Sequence, residues 1–246
     1  MKTEAEVAAL VRARSPQPAS ETERLIRDFF RPARATRFVC RHYGADRLAV
    51  LDVGCSYGQH LVHFGPGSVG LDAIERNVAF VRALGYPAVL ANVEDDLPEF
   101  ERPFEAVFSA NLLEHLVAPH LFLLRLHRLL TPDGLLFIHV PTIPPLPIIE
   151  RLVKLAIGHN GYQASEHINA FTPRVGAFLL ERAGFDVLDS AFVAARDHPL
   201  LKWGEPLLRE LGISVMLVGR RNPDFAYPEK RLAAFTPDFM AASLER

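Results

Sequence analysis

From residue 48 onward, short apolar runs alternate with stretches of helical periodicity. Residues 48–53 read as a buried strand that ends at Asp52-Val53-Gly54. A short helix at 59–64 and a second strand at 68–71 follow. Residues 74–84 carry a helical pattern, with Gly85 placed as its stop. Third and fourth strands are expected at 87–91 and 104–109. An amphipathic helix follows at 120–130, then a turn at Thr131-Pro132-Asp133-Gly134 and a fifth strand at 135–140. Strands separated by helices predict βαβ units on a parallel sheet.

The flanks read differently. The first 20 residues hold a weak helical pattern that ends in the loop Ser15-Pro16-Gln17-Pro18. Ser20 with Glu23 has the spacing of a capping box. A helix is expected from there towards Tyr43, in two pieces because Pro32 removes an amide donor, with Gly44 as its stop. Past the fifth strand, 141–169 is proline-rich, then helical at 148–157, then polar and aromatic. Residues 173–183 form a helix with Pro173 in the first turn and Gly184 after the end. Strands are expected at 185–193 and 213–218, with a helical segment at 207–211 between them. The expected organisation is a helical cap at 1–47, an α/β domain at 48–220 with an insert at 141–172, and a tail at 221–246.

Composition narrows the class. Among 246 residues, 27 basic side chains face 29 acidic ones and 49% are apolar, so neither disorder nor a nucleic-acid-coating surface is expected. Cys40 and Cys55 are too few for a disulfide framework or a cysteine-built metal site. Glu4 and Glu6 in a start without a long apolar run do not read as a secretory signal. The uncharged stretch 134–149 is broken by Pro141, Pro144, Pro145 and Pro147 and is too short to span a bilayer. The expectation is a cytoplasmic protein with reduced thiols and no stable membrane insertion.

The chemistry gathers at the strand ends. Leu51-Asp52-Val53-Gly54-Cys55-Ser56-Tyr57-Gly58 is a strand entering a glycine-spaced turn, which lets backbone approach a ligand closely. Asp72, 20 residues after Asp52, ends the second strand, where a carboxylate can accept from both hydroxyls of a ribose. Asn92 and Val93 follow the third strand. The fourth runs through Phe104-Glu105 to Ser109, Asn111 and Leu113-Glu114-His115.

In this order the motifs resemble those of the class I S-adenosylmethionine-dependent methyltransferases, small-molecule branch. The turn at 131–134 and the later stretch His167-Ile168-Asn169-Ala170-Phe171-Thr172-Pro173, ending in Ala183-Gly184-Phe185, belong to the same likeness, which covers about 48–220. The resemblance implies a Rossmann-like three-layer sandwich whose seven-stranded sheet is mostly parallel with an antiparallel last strand. It implies S-adenosyl-L-methionine as cofactor. Gly54, Cys55 and the backbone after strand four (Ser109, Asn111) would hold the methionine part, Asp72 with Ala73 the ribose, and Asn92 with Val93 the adenine. Asp52 and Gly58 would order the first turn. Ser56 stands where the family has its middle glycine, and its hydroxyl is placed for the methionine carboxylate. Asn92 stands for the usual acid.

An activated methyl group needs an acceptor held in line, water excluded and often a base. His115, His139, His167 and His198 are the candidates. His115 and His167, with Glu114 as an orienting carboxylate, carry the catalytic expectation, while His139 reads as a core residue. No Cys/His cluster has metal-ligand spacing, and no metal is expected. Arg24, Arg27, Arg31, Arg34 and Arg41 read as a solvated face, and residues 144–157 as a lid over the acceptor. The expected reaction is methyl transfer to an oxygen of a sugar, polyketide or other secondary metabolite; a homodimer stays open. One rival is a catalytically decayed cofactor-binding module, suggested by Ser56 and Asn92. The other is a nicotinamide-dependent reductase, disfavoured by the lack of Gly-x-Gly-x-x-Gly and of a Tyr-x-x-x-Lys pair.

Overall fold

The apolar runs assemble into one sheet in the computed structural model. It describes residues 1–226 apart from 32, 96, 144–147, 149, 150, 152–154, 156–166, 197–201 and 205–212. The strands are β1 (Val50–Val53), β2 (Val69–Asp72), β3 (Ala88–Leu90), β4 (Phe104–Ala110), β5 (Leu130–Pro141), β6 (Phe185–Ala191) and β7 (Ser214–Arg221). They pair in the order β3-β2-β1-β4-β5-β7-β6. The first five are mutually parallel, and β7 runs antiparallel to both β5 and β6.

Alternation along the strands sends neighbouring side chains to opposite faces. Leu51, Val107, Leu136, Ile138 and Leu217 meet α5 (Pro119–Leu129) and α6 (Pro173–Arg182) through Phe122, Leu123, Leu126 and Leu180. Val50, Ala106, Phe108, Phe137 and Val218 face the other way. They meet Phe38 and Val39 of α3 (Arg34–Tyr43) and Val78 and Val81 of α4 (Glu75–Ala83). The result is the three-layer, mostly parallel arrangement that the resemblance implied. A third cluster joins α1 (Glu4–Arg14) and α2 (Ala19–Asp28) to α4, through Val7, Val11, Leu25, Phe80 and Leu84. No helix among the described residues is long and apolar enough to cross a membrane.

Several local expectations are corrected. Ser20 and Glu23 form no capping box: α2 starts at Ala19 with Pro18 at the cap. Glu23 instead accepts two bonds from the Arg12 guanidinium, at 2.6 and 2.9 Å. The box sits at α1, where the Glu6 amide donates to Thr3 Oγ1 (3.2 Å) and the Thr3 amide to Glu6 Oε2 (2.7 Å). Residues 59–64 supply only one 3₁₀ turn, Leu61–His63. The 131–134 turn is carried inside β5 as a bulge, because the register passes from Phe104↔Leu130 to Ala106↔Leu135. The strand expected to reach 193 stops at Ala191, and Val193–Arg196 forms a short helix, α7. β7 runs on to Arg221 because it is flanked on both sides: Arg220 pairs with Leu135 and with Asp186. Most of the helix expected at 148–157, the one expected at 207–211 and most of the tail lie outside the described residues, as does His198.

Candidate active site

The crossovers change direction between β1 and β4, so a crevice opens where the carboxyl ends of these two strands diverge. β1 delivers its glycine turn there. Gly54 has φ 74° and Ser56 φ 50°, so the serine holds a left-handed conformation in spite of its Cβ. The amides of Gly54 and Cys55 donate to the Leu71 carbonyl (2.8 and 3.1 Å) and fold the turn over β2. The Ser56 amide donates to Asp72 Oδ2 at 2.8 Å. Asp72 Oδ1 accepts from the Ile74 amide (2.9 Å) and Asn77 Nδ2 (3.1 Å). One carboxylate thus joins the first turn to the start of α4.

These groups border a cleft of about 430 Å³. It brings together Gly54, Ser56, Asp72, Ala73, Asn92, Val93 and His115 of the expected residues, and adds Asn77, Glu94, Leu112 and Leu116. Glu94 Oε1 accepts from the amides of Val117 (2.6 Å) and Ala118 (3.2 Å). The Arg125 guanidinium donates to the carbonyls of Val93, Glu94 and Asp95 at 3.4, 3.0 and 2.7 Å. Together they fix the Asn92–Val93 loop. Glu94 lies two residues past Asn92, a spacing visible in the sequence. Nothing in the sequence marks Arg125 for this task.

Other expected residues lie beside or beneath the cleft. The Cys55 thiol points into the core, where a Cβ added at Gly70 would meet its Sγ at 2.8 Å; burial pushes the thiol up, so only its backbone is offered to a ligand. Gly58 faces α4, with Val81 at 3.1 Å from an added Cβ. Ser109 is buried, and its hydroxyl has no hydrogen-bond partner among the described residues. Asp52 is buried under the turn. Burial pushes its carboxyl from 3.8 up to about 8; a hydrogen bond from the Leu61 backbone offsets part of this and the Asp72 charge adds to it. Between about pH 4 and 8 the folded chain therefore keeps a proton that the unfolded chain has lost, and stability falls as pH rises through that window. Asp52→Asn removes this dependence. Thermal melts should show the variant more stable than the parent at pH 8.5, by roughly 10 °C or more, with the gap closing near pH 4. A gap independent of pH would contradict the buried proton.

Beyond β4, Asn111 (φ 53°) leads into a 3₁₀ turn, Leu113–His115. Glu114 is fully buried (0% exposed), and burial raises its carboxyl pKa against the pull of His115 and His167. Its Oε1 lies 4.0 Å from His115 Nε2 and 3.9 Å from His167 Nε2, and the two rings meet edge to face at 4.7 Å. The 167–169 segment is docked by its backbone: the Ile168 and Asn169 amides both donate to the Glu114 carbonyl, at 3.0 and 2.9 Å. The three expected catalytic residues thus lie together, at the wall of the cleft that His115 lines.

A second cavity of about 400 Å³ opens past Asn111 and includes Arg34, His60, His139, Val193 and Ser214. His139, expected in the core, is largely buried and also lines this space. His60, which no sequence motif marks, faces it too, with Nδ1 2.7 Å from Thr36 Oγ1. Burial pushes His60 down to about 3 and His139 to about 4, so both imidazoles are neutral at pH 7. Of the arginine series, Arg24 and Arg27 pair with Glu21 and Asp28 on exposed surface, whereas Arg34 reaches this cavity.

Comparison with known proteins agrees with this architecture. The family described as "Methyltransferase domain" matches residues 12–190. A ubiquinone biosynthesis O-methyltransferase of Maricaulis maris (strain MCS10) is 31% identical over 115 residues, 40% of this chain and 44% of that protein. The chain spans less than half the length of the curated relatives it matches. Among solved structures, Burkholderia thailandensis 1,6-didemethyltoxoflavin-N1-methyltransferase, with 1,6-didemethyltoxoflavin and S-adenosylhomocysteine bound, superposes with a TM-score of 0.55 at 19% identity. The match covers 90% of this chain and 91% of that one. The complex of the Haloferax volcanii Trm112 methyltransferase activator with a methyltransferase gives a TM-score of 0.58 at 16% identity, covering 87% and 97%. These structural likenesses speak for the fold, and the family match runs through the glycine turn, Asp72, the Glu114–His115 turn and His167 alike: the chain belongs to the class I S-adenosylmethionine-dependent methyltransferases.

Proposed function

We propose that the protein transfers a methyl group from S-adenosylmethionine to an oxygen of a small-molecule acceptor, a sugar or another secondary metabolite. The observation that carries this is the Ser56–Asp72 junction at the switch point. It combines a close-approach backbone turn, a fixed carboxylate and a cleft of about 430 Å³ beside them. The cleft fits the cofactor at Gly54 in particular, where an added Cβ would meet Leu112 at 3.3 Å and narrow the floor. S-adenosylmethionine bound there supplies a methyl group already activated by a positively charged sulfur.

The chain's own residues do the rest. Gly54 and Ser56 offer backbone to the methionine end. Asp72 keeps lone pairs beyond its three present bonds and accepts from ribose hydroxyls. Asn92 and Val93, pinned by Arg125, present an amide and an apolar face to the base. The cavity past Asn111 is assigned to the acceptor, with neutral His60 and His139 as hydrogen-bonding walls and Arg34 at its side. Glu114, His115 and His167 receive the proton or the charge that the acceptor hydroxyl sheds. Cover for the site is assigned to residues 1–47 and to the described end of the insert, 167–172, whose amides at Ile168 and Asn169 close on Glu114. The names of the curated relatives, all O-methyltransferases, favour oxygen as the acceptor atom.

Calorimetry with S-adenosylhomocysteine against NAD tests the cofactor. The parent should bind the first and not the second. Asp72→Ala should weaken binding roughly 10- to 100-fold, the size of a lost hydrogen bond to a charged group, about 1.5–3 kcal/mol. Asp72→Asn, which can still accept from the Ser56 amide, should lose less. Binding of NAD alone would favour a reductase. S-adenosylhomocysteine binding without turnover on hydroxyl, amine and thiol acceptors would favour a decayed module.

A further inference from the structure

We infer that Glu114, His115 and His167 form a binding site for one divalent transition-metal cation at the acceptor edge of the cleft. One ligand atom from each lies within 4.8 Å of the other two. Two observations point to a cation rather than to an ordinary ion pair. The first is the Glu114 carboxyl: it is fully buried, and neither of its oxygens has a hydrogen-bond partner among the described residues. A buried carboxylate without a donor is costly, and two histidine nitrogens at 3.9 and 4.0 Å are too far to supply one. A cation between the three groups satisfies the carboxylate directly.

The second observation is how His167 gets there. It comes from more than 50 residues beyond Glu114, yet the Ile168 and Asn169 amides both close on the Glu114 carbonyl, and Asn169 Nδ2 donates to the Leu116 carbonyl. The backbone at both ends of the cluster is therefore locked before any ion arrives. This preorganisation is what a ligand set needs. Metal–ligand bonds of about 2.0–2.2 Å require donor separations of about 3.0–3.5 Å at tetrahedral or octahedral angles. The two Glu114–histidine separations of 3.9 and 4.0 Å, and a third of at most 4.8 Å, close to that range by rotation of the three side chains.

The donor set selects the ion. Two imidazoles and one carboxylate suit zinc, cobalt or ferrous iron, whereas magnesium and calcium prefer all-oxygen sets. Exposure gives the open direction. The Glu114 side chain is 1% exposed, His167 11% and His115 35%, so the free coordination positions face the cleft through His115. The ligand class they take is an acceptor that bears an oxygen donor, and this part rests on the proposed methyl transfer. With a cation bound, the three side chains act as its ligands and the acceptor's hydroxyl proton leaves to water rather than to them; the cation's charge eases that loss.

The test uses tag-free protein stripped with a chelator. Zinc and cobalt are titrated by calorimetry, with the visible absorption of bound cobalt as a second readout. One equivalent should bind saturably in both assays. Glu114→Gln and His167→Ala should each weaken it at least about 100-fold, while His42→Ala, an exposed histidine of α3, should leave it unchanged. Melting curves confirm that each variant is folded. If the parent shows no saturable binding of either ion, or if Glu114→Gln binds as the parent does, the cation site is wrong. S-adenosylhomocysteine is titrated into the same preparation. Its binding in the absence of metal binding overturns the cation site alone, and metal binding without it overturns the methyl-transfer reading alone.

Discussion

Replacing Gly54 by valine is expected to abolish detectable binding of S-adenosylhomocysteine, a loss of more than about 100-fold or 2.7 kcal/mol. Two effects add at this position. Gly54 sits at φ 74°, where a residue with a Cβ is strained by about 1–2 kcal/mol and a β-branched residue by more. The new Cβ would also stand 3.3 Å from Leu112 Cδ2, tighter than an ordinary contact, and its two methyls extend further. Leu112 leads directly into the turn that carries Glu114 and His115, so relief of the clash shifts the acceptor edge as well. Gly54→Ala keeps the strain but omits the branch and should bind with intermediate affinity. Melting curves separate loss of the site from loss of the fold. Wild-type affinity in folded Gly54→Val would show that the cofactor lies elsewhere.

How far the sequence reaches differs between strand and side chain. The sheet was legible because its central strands are apolar on both faces, a pattern that survives without knowledge of partners: residues 104–109 announce β4 on their own. Local rules failed where a distant group competed. Ser20 and Glu23 satisfy the capping spacing, but the Glu23 carboxylate is taken by Arg12 on another helix. Thr131 to Gly134 is a sound turn signal, yet parallel pairing starts at Leu130 and resumes at Leu135, so the turn survives only as a bulge.

The same contrast runs through the site. Gly54, Ser56 and Asp72 were legible because β1 and β2 are neighbours and parallel, so their ends must lie side by side. The approach of His167 to Glu114 was not, because it depends on two amides choosing one carbonyl across the chain. His60 escaped notice for a related reason. Its significance comes from His139, Asn111 and Arg34 converging on one cavity from three separate elements, and no spacing in the sequence encodes that convergence.

The largest loss of stability should come from Phe108→Ala, at the crossing point of both layers. Phe108 is 0% exposed at the middle of β4, level with Asp52 of β1 and Phe137 of β5. Its ring packs at 5.3 Å from Phe64 and 5.0 Å from His60, so it supports the glycine-turn side of the sheet and one wall of the second cavity together. Truncating a buried phenylalanine costs about 3–5 kcal/mol, and a parallel strand hydrogen-bonded on both sides can collapse little to fill the space. That is a large share of the roughly 5–15 kcal/mol that holds a domain together. In urea the midpoint should fall by about 1–2 M at unchanged slope. Phe178→Ala is the matched control: at 55% exposure, with its ring against the Arg182 guanidinium at 4.9 Å, it should cost no more than about 1 kcal/mol. The two variants should also separate by function. The Gly54 and Ser56 amides are held by Leu71 and Asp72, not by the Phe108 ring, so folded Phe108→Ala should keep S-adenosylhomocysteine affinity within about 10-fold while the cavity beside His60 loses its wall. Equal midpoints for the two variants would contradict the placement of β4 at the centre of the core.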